Sequence, residues 1–264
     1  MTLRTAPWPP GTPCWVDLTV ADVPASSAFY AAVLGWDVAE PDEEHGGYVV
    51  ATVPGADGEP AAAAGLGPRP SPDTPSAWTL YLATDDADAT AAAVVEHGGV
   101  VLLPPGDVGA LGRIAVAADP TGALFGLWQA GTLVGCGVLD APGALVWEDL
   151  RSPAPDIARA FYAGVFRYAT EGVDMAPDDY TTFTLLGGAP LGGIGGMTDE
   201  DAAPHWLVSF GVRDADAAAA AATRSGGRVV APVRDTPFGR TALLAGPDGA
   251  VFAAVTVAEE PEEG

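Results

Sequence analysis

The sequence has little positive charge, few cysteines and no long hydrophobic run. All eleven basic residues are arginines, they face 35 acidic residues, and the formal net charge is −24. Such a charge repels the phosphates of nucleic acids and of anionic lipid surfaces, so we expect neither a nucleic acid nor a membrane as a partner. The same charge favours solubility and would attract a cationic ligand.

The scarcity of cysteine excludes a fold built on disulfides. Cys14 and Cys136 can form one pair at most, and they do not occupy equivalent positions in the repeat described below. No segment approaches the ~18 uncharged apolar residues of a membrane-spanning helix, and residues 1–10 lack the apolar segment of a signal peptide. We therefore expect a cytoplasmic protein.

A strand followed by a helix occurs twice in the chain. Residues 15–20 alternate as a strand does, Asp22 is a typical helix N-cap, and Gly35 ends the apolar helical face. The Phe29-Tyr30 pair on this helix recurs as Phe161-Tyr162 in the second half of the chain. The chain is therefore an internal duplication.

Each half divides again into two similar units. In the first half, a proline-rich segment precedes a second strand, an alanine-rich helix that ends at Gly98-Gly99, and three further strands. The pattern predicts an α+β fold made of four βαβββ units. The predicted segments are a first domain at 1–133, a linker at 134–143, a second domain at 144–258 and a disordered acidic tail at 259–264.

These features together resemble the vicinal oxygen chelate superfamily, which includes glyoxalase I, the extradiol dioxygenases and the bleomycin resistance proteins. The resemblance rests on the four βαβββ units, the Phe-Tyr and Gly-Trp motifs, the helices that end in Gly-Gly and an Asp-Pro-x-Gly turn before a last strand. It covers nearly the whole chain and looks similar to double-length glyoxalase-like proteins, often named hydroxylases, some of which accompany polyketide antibiotic pathways. It implies two half-barrel domains, each around a cavity. One scaffold hosts isomerases, lyases, oxygenases and binding proteins, so the fold alone does not decide the function.

The resemblance also implies where a metal would be held. Metal enzymes of the superfamily place His, Gln or Glu on the first and last strands, but here those positions fall on residues that cannot bind a divalent metal. They are Trp15, Thr79 and Gly126 in the first half and Trp147, Leu207 and Ala253 in the second. A remaining position falls within 62–65 and 192–195, which also offer no ligand. We predict no metal and no cofactor.

Two other features of the sequence bear on ligand binding. His205 lies two residues from Leu207 on the same strand face, so a shifted register could bring it to a metal together with Asp149 or Glu148. His97 lies in the last turn of a helix and His45 in an acidic loop. The glycine run at 192–196 lacks the Lys-Ser/Thr of a phosphate-binding loop, and we predict a strand that another group approaches closely.

Asp17 and Asp149 are the candidate catalytic residues. They occupy matched positions two residues beyond Trp15 and Trp147, and therefore lie on the same strand faces. In an apolar cavity such a carboxylate can act as a general base or bind an ammonium group, and on a strand edge it can instead cap the backbone or face solvent.

The predicted ligand-binding faces are rich in aromatic residues in the first half. Strand alternation assigns them Trp15, Asp17, Thr79, Tyr81, Gly126 and Trp128 in the first half and Trp147, Asp149, His205, Leu207, Ala253 and Val255 in the second. If these faces line the cavities, they form walls on which flat aromatic ligands stack.

We predict metal-independent binding of a hydrophobic, aromatic small molecule, either neutral or positively charged. By the resemblance, the protein would sequester an antibiotic or a biosynthetic intermediate, or deliver it to a tailoring enzyme. One alternative is an enzyme of the same superfamily, either a metal-free lyase, isomerase or cyclase or a metal enzyme with relocated ligands. Another is a protein-interaction module.

Overall fold

The structure is a computed structural model that describes residues 1–41, 46–55, 58–174, 179–185, 187–236 and 238–257. His45 and the acidic tail predicted at 259–264 lie outside the described residues. Among the described residues, no helix has the length and apolar character needed to cross a bilayer.

The chain alternates strands and helices in the predicted order. The first part of the chain forms β1 (Thr2–Leu3), β2 (Pro13–Val20), α1 (Val23–Leu34), β3 (Asp37–Val38), β4 (Val49–Pro54), β5 (Pro60–Pro68), β6 (Ala77–Ala83), α2 (Ala87–Glu96), β7 (Val100–Val108), β8 (Gly112–Ala118) and β9 (Leu124–Ala130). The rest forms β10 (Val138–Leu139), β11 (Leu145–Ser152), α3 (Pro155–Phe166), β12 (Ala169–Gly172), β13 (Thr181–Thr184), β14 (Gly192–Gly196), β15 (His205–Val212), α4 (Ala215–Arg224), β16 (Arg228–Thr236), β17 (Gly239–Ala245) and β18 (Val251–Thr256).

The strands form two mixed sheets of closely similar topology. The first has the order β3-β4-β5-β2-β6-β9-β8-β7, and the second follows the path β12-β13-β14-β11-β15-β18-β17-β16. In each sheet the first strands of two units pair antiparallel at the centre, β2 with β6 and β11 with β15. The second sheet is extended by β10, which pairs with β11, and by β1, which pairs with β10. The predicted α+β fold of two half-barrels is confirmed.

Local signals set the ends of most helices. The Asp22 carboxylate accepts a hydrogen bond from the backbone N–H of Ala25 at 2.9 Å, and Gly35 ends α1 with a φ of 74°. Helix α3 departs from this pattern, because Ala154 provides no side-chain cap and Arg167 takes the left-handed position of Gly35 with a φ of 61°.

The helices contribute to one hydrophobic core that joins the two halves. Helix α1 packs against α4 and β15, and α2 packs against α3. Aromatic rings meet across the two halves, with 5.3 Å between the ring centroids of Trp36 and Phe210 and 5.9 Å between those of Phe125 and Phe161. The helix-covered face of each sheet is thus filled, and the opposite face is the one on which a cavity can form.

Candidate functional site

The first strand of each half presents the same side chains to the open face of its sheet. Trp15 and Asp17 on β2 correspond to Trp147 and Asp149 at the equivalent positions of β11. The alternate residues on each strand point into the core, where Leu18 and Leu150 are fully buried. Strand alternation therefore puts a tryptophan and a carboxylate on the face opposite the core in both halves.

In the first sheet, aromatic side chains fill the face opposite the core. Trp15, Tyr81 and Trp128 are only 3%, 4% and 6% exposed, and they pack with Trp8 in one hydrophobic cluster. The backbone after β9 completes the closure, since Trp128 Nε1 donates to the carbonyl of Leu133 at 2.9 Å.

The two cysteines belong to the same closed cluster. Cys14 and Cys136 are fully buried and are not joined by a disulfide. Burial raises the pKa of both thiols, which keeps them protonated and unreactive.

Asp17 lies within this closed half. The Tyr81 hydroxyl donates to Asp17 Oδ2 at 2.9 Å, and Trp15 Nε1 donates to the hydroxyl of Tyr48 at 3.0 Å. Burial raises the pKa of Asp17 to about 7, although the hydrogen bond from Tyr81 acts in the opposite direction. A carboxyl with such a raised pKa can act as a proton donor or acceptor. In this half, however, the Tyr81 side chain occupies the space in which a substrate would meet Asp17.

The second half contains a cavity of about 570 Å³ on the equivalent face. Three substitutions between the halves explain why it is open. When the halves are aligned on their shared motifs, Ser209 stands where the first half has Tyr81, Val255 replaces Trp128, and Thr241 replaces Ile114. The strand pairings agree, because Trp15 pairs with Tyr81 and Trp147 pairs with Ser209.

Asp149 lies at the centre of a hydrogen-bond network in this cavity. Its Oδ1 accepts hydrogen bonds from Tyr180 Oη at 2.8 Å and from Trp147 Nε1 at 3.1 Å. Its Oδ2 is 3.3 Å from Arg151 Nη2. Arg151 replaces Thr19 of the first half, so Asp149 has a cationic neighbour where Asp17 has a neutral one. Three donors fix the orientation of the carboxylate toward the cavity.

Tyr180 reaches Asp149 by lying across the glycine-rich strand β14. A Cβ atom at Gly193 would overlap the Tyr180 hydroxyl, and one at Gly195 would come within 2.8 Å of its ring. The prediction that this strand is closely approached by another group is confirmed. Burial first, and then the neighbouring Asp149, raises the pKa of Tyr180, so its hydroxyl remains a proton donor at neutral pH.

Two aromatic rings form a wall of the cavity. Trp147 and Phe238 stack with 5.6 Å between their centroids and 22° between their planes. Phe238 follows β16 and is 48% exposed, so a large apolar ring stands at the cavity rim without being buried by the protein. Such a wall suits a flat apolar ligand.

Charged residues of both signs line the rest of the cavity. Asp140, Glu200 and Asp201 add negative charge, whereas Arg151 and Arg234 add positive charge. The Asp201 carboxylate is engaged within its own turn, where Oδ2 accepts the backbone N–H of Thr198 at 2.7 Å.

The structure places the remaining sequence candidates as follows. Leu207, Ala253 and Val255 line the second cavity, whereas Thr79 and Gly126 belong to the closed first half. His205 is not among the lining residues: its Nδ1 contacts the carbonyl oxygen of Ala203 at 2.8 Å, and its Nε2 is 3.7 Å from Asp201 Oδ1. It therefore lies at the start of β15, outside the cavity.

The side chains of the cavity do not fit a divalent metal. The positions implied by the superfamily are occupied by Trp147, Leu207 and Ala253, none of which offers a ligand. No group of three or more His, Cys, Asp or Glu side chains that could hold a metal ion occurs among the described residues. The relocated set of His205 with Asp149 or Glu148 is not formed either. His205 contacts Ala203 and Asp201 outside the cavity that Asp149 lines, and Glu148 points into the core on the opposite face of β11.

Several residues of the site were missed by reasoning from the sequence. Ser209, Thr241, Arg151 and Phe238 were not predicted, and Tyr180 was matched to Tyr48 without being assigned to the site. Aligning the two Asp-Ala-Asp-Ala helix starts of the second units places Ser209 at the position of Tyr81, so this signal was present in the sequence.

Comparisons with known proteins identify relatives along nearly the whole chain. The Glyoxalase/Bleomycin resistance protein/Dioxygenase superfamily matches residues 14–127. CFP32 of Mycobacterium tuberculosis (strain CDC 1551 / Oshkosh), whose name assigns it provisionally to the glyoxylases, is 38% identical over 95% of this chain and 96% of its own. The anthracycline biosynthesis protein DnrV of Streptomyces peucetius is 37% identical over 95% of this chain and 94% of its own.

Solved structures share the same fold at low sequence identity. The Mn(II)-bound glyoxalase from Novosphingobium aromaticivorans superposes with a TM-score of 0.66 at 20% identity, covering 95% of this chain and 83% of that one. The 2,3-dioxygenase LapB from Pseudomonas sp. KL28 gives 0.65 at 16% identity, covering 98% and 96%. At these identities the likeness shows the fold alone.

Proposed function

Because the chain belongs to the glyoxalase/bleomycin resistance protein/dioxygenase superfamily, we propose that the cavity of its second half binds a flat, hydrophobic aromatic small molecule without a metal. The observation that carries this proposal is the open cavity of about 570 Å³ beside the stacked Trp147 and Phe238. Its volume lies in the range of roughly 300–1,000 Å³ typical of small-molecule sites. Metal independence is supported by the donor-poor side chains at the superfamily's metal positions, Trp147, Leu207 and Ala253.

The relatives fit a role in biosynthesis. DnrV and DauV, 37% and 36% identical to this chain, are both named anthracycline biosynthesis proteins. We propose that this protein holds an aromatic natural product or intermediate, either to sequester it or to present it to a tailoring enzyme. The cavity mouth, with a half-exposed Phe238 at its rim, allows such a molecule to enter and leave.

Calorimetric titration with a flat aromatic probe such as anthraquinone-2-sulfonamide, in buffer containing a chelator, tests the proposed site. We expect saturable binding that Trp147→Ala weakens by about 1–3 kcal/mol, because the substitution removes one aromatic wall. Ile157→Ala is the control, since Ile157 is an exposed apolar residue on α3 that does not line the cavity.

Three outcomes would contradict this proposal. Affinity unchanged in Trp147→Ala would show that the ligand binds elsewhere. A requirement for added Mn²⁺, Fe²⁺ or Zn²⁺, measured by plasma mass spectrometry and titration, would overturn metal independence. Absence of saturable binding would overturn the aromatic-ligand assignment itself.

A second candidate function is acid–base catalysis without a metal. The Tyr180 hydroxyl and the Asp149 carboxylate are 2.8 Å apart and both face the cavity, so they can hold a proton next to a bound molecule. In this case Asp149→Asn would abolish turnover of a substrate while its binding persists. Unchanged turnover in that variant would exclude Asp149 as the base.

A further inference from the structure

The closed first half contains a phenol at the position that corresponds to the open cavity. The ring of Tyr81 lies against Gly126, where any Cβ atom would overlap it, and its hydroxyl donates to Asp17 Oδ2 at 2.9 Å. Trp15 pairs with Tyr81 across the two central strands. The first half therefore supplies its own hydroxylated aromatic ring to its cavity carboxylate.

The second half keeps the carboxylate and lacks the phenol. Ser209 occupies the position of Tyr81 opposite Trp147, and a serine side chain is too short to fill the space of a phenol ring. An ionised carboxylate can accept about four hydrogen bonds. Among the described residues, Asp149 receives two at Oδ1, from Tyr180 and Trp147, and one at Oδ2, from Arg151. These contacts leave one acceptor position at Asp149 for a ligand.

We propose that the ligand of the second half is a phenol, whose hydroxyl donates to Asp149 as the Tyr81 hydroxyl donates to Asp17. This inference rests on the proposed function and names its ligand class. Ala253 replaces Gly126, so the ring of the ligand lies above a methyl group rather than against bare backbone. Val255 and Thr241, in place of Trp128 and Ile114, provide the room for that displacement.

The arginine next to Asp149 favours a neutral hydroxyl over a cationic group at the remaining acceptor position. Arg151 already lies 3.3 Å from the carboxylate, and Arg234 lines the same cavity. An ammonium group at the remaining acceptor position would approach the Arg151 guanidinium, whereas a neutral phenol is not repelled there. A neutral donor to a charged acceptor also forms a stronger hydrogen bond than two neutral groups do.

Paired probes that differ only at the hydroxyl test the inference. By calorimetry on the whole protein, we expect 2-naphthol to bind at least about 10-fold more tightly than 2-methoxynaphthalene, which cannot donate a hydrogen bond. Asp149→Asn replaces the charged acceptor with a neutral one and should reduce this ratio several-fold. Asp156→Asn, on the surface of α3, controls for the loss of one negative charge.

A double variant rebuilds the closed half in the open one. Ser209→Tyr/Ala253→Gly supplies both the phenol and the glycine that it needs, so it should exclude both naphthalene probes. Circular dichroism and a thermal transition near that of the parent protein confirm that the variant is folded. Retained binding of 2-naphthol in this folded variant would overturn the inference.

The remaining outcomes separate the inference from the proposed function. Equal affinity for the two probes, with both weakened by Trp147→Ala, would overturn the phenol assignment and leave aromatic binding standing. A preference for 2-naphthol that is lost in Asp17→Asn and kept in Asp149→Asn would place the phenol in the first half and overturn the inference. No binding of either probe would count against both.

Discussion

The buried carboxyl of Asp17 makes the stability of the protein depend on pH in a defined way. The native state raises the pKa of Asp17 from 3.8 to about 7, chiefly because the group is removed from water. Between these values the native protein retains a proton that the unfolded chain has lost. The free energy of unfolding therefore falls as pH rises through this window, and it levels off once the pH exceeds the native pKa of Asp17.

The size of the effect follows from the shift. One pKa unit corresponds to about 1.4 kcal/mol, so the rise from 3.8 to about 7 gives an upper value of about 4 kcal/mol. Partial exposure of the Asp17 side chain to solvent lowers this figure, and we expect about 2–4 kcal/mol. Asp17→Asn cannot ionise, but its amide oxygen can still accept the hydrogen bond from Tyr81.

Urea unfolding of the parent protein and of Asp17→Asn at pH 5 and at pH 8 measures the part of this contribution that arises above pH 5, which is at most about 2.7 kcal/mol. The difference in the free energy of unfolding should change in favour of the variant between the two pH values, while other titrating groups cancel in the comparison. Asp156→Asn reports the effect of removing one charge at the surface. A difference that is the same at pH 5 and pH 8 would refute the assignment of a penalised charge at Asp17.

Two further predictions follow from buried contacts. Glu148 is 5% exposed and replaces Val16 of the first half, and burial, then Asp149 and Asp140, raises its pKa. Glu148→Val should therefore stabilise the protein at pH 8, and this gain should shrink toward pH 5 by at most about 1.4 kcal/mol per pH unit, as measured by urea unfolding. Gly193→Ala should destabilise the protein by about 1–3 kcal/mol in the same assay, because the added methyl group collides with the Tyr180 hydroxyl. It should also weaken binding of an aromatic probe, whereas unchanged stability and affinity would show that Tyr180 can move without cost.

The fold could be predicted from the sequence because its signals are local and repeated. Asp22 and Gly35 mark the two ends of α1, and the alternation in residues 15–20 marks β2. The same sequence motifs recur in the second half at nearly constant spacing, which indicates that the strands pair in the same way in each half. The glycine run of β14 was predicted as a strand for a different reason, because it lacks the Lys-Ser/Thr of a phosphate-binding loop.

The difference between the two halves could not be predicted in the same way. Tyr81 and Trp128 close the first cavity, and they come from strands far apart in sequence. Trp8, which precedes β2, and Leu133, which follows β9, complete the closure, and no periodic pattern assigns such residues to a cavity. The sequence indicated more aromatic residues in the first half, but whether aromatic rings leave a space or fill it depends on the packing of all of them together.

His205 shows that a residue can lie on the correct face of a strand without reaching the cavity. Alternation places His205, Leu207 and Ser209 on one face of β15, and the histidine was a candidate because imidazole is a common metal ligand. The register shows that Ser209 lies opposite Trp147 and that His205 lies opposite Arg151, near the end of the pairing. The position along the strand, which alternation cannot supply, decides which side chain reaches the cavity.

A tryptophan–tyrosine hydrogen bond occurs at the same place in both halves, which distinguishes contacts that the fold requires from contacts that a ligand would require. Trp15 donates to Tyr48 at 3.0 Å and Trp147 to Tyr180 at 3.2 Å, and each tyrosine lies over glycines of the adjacent strand. Because this arrangement is present in the closed half as well, binding cannot be its cause. The proposed ligand site depends instead on positions that differ between the halves, among them Ser209, which vacates the space of a phenol, and Arg151, which gives Asp149 a charged partner in place of Thr19.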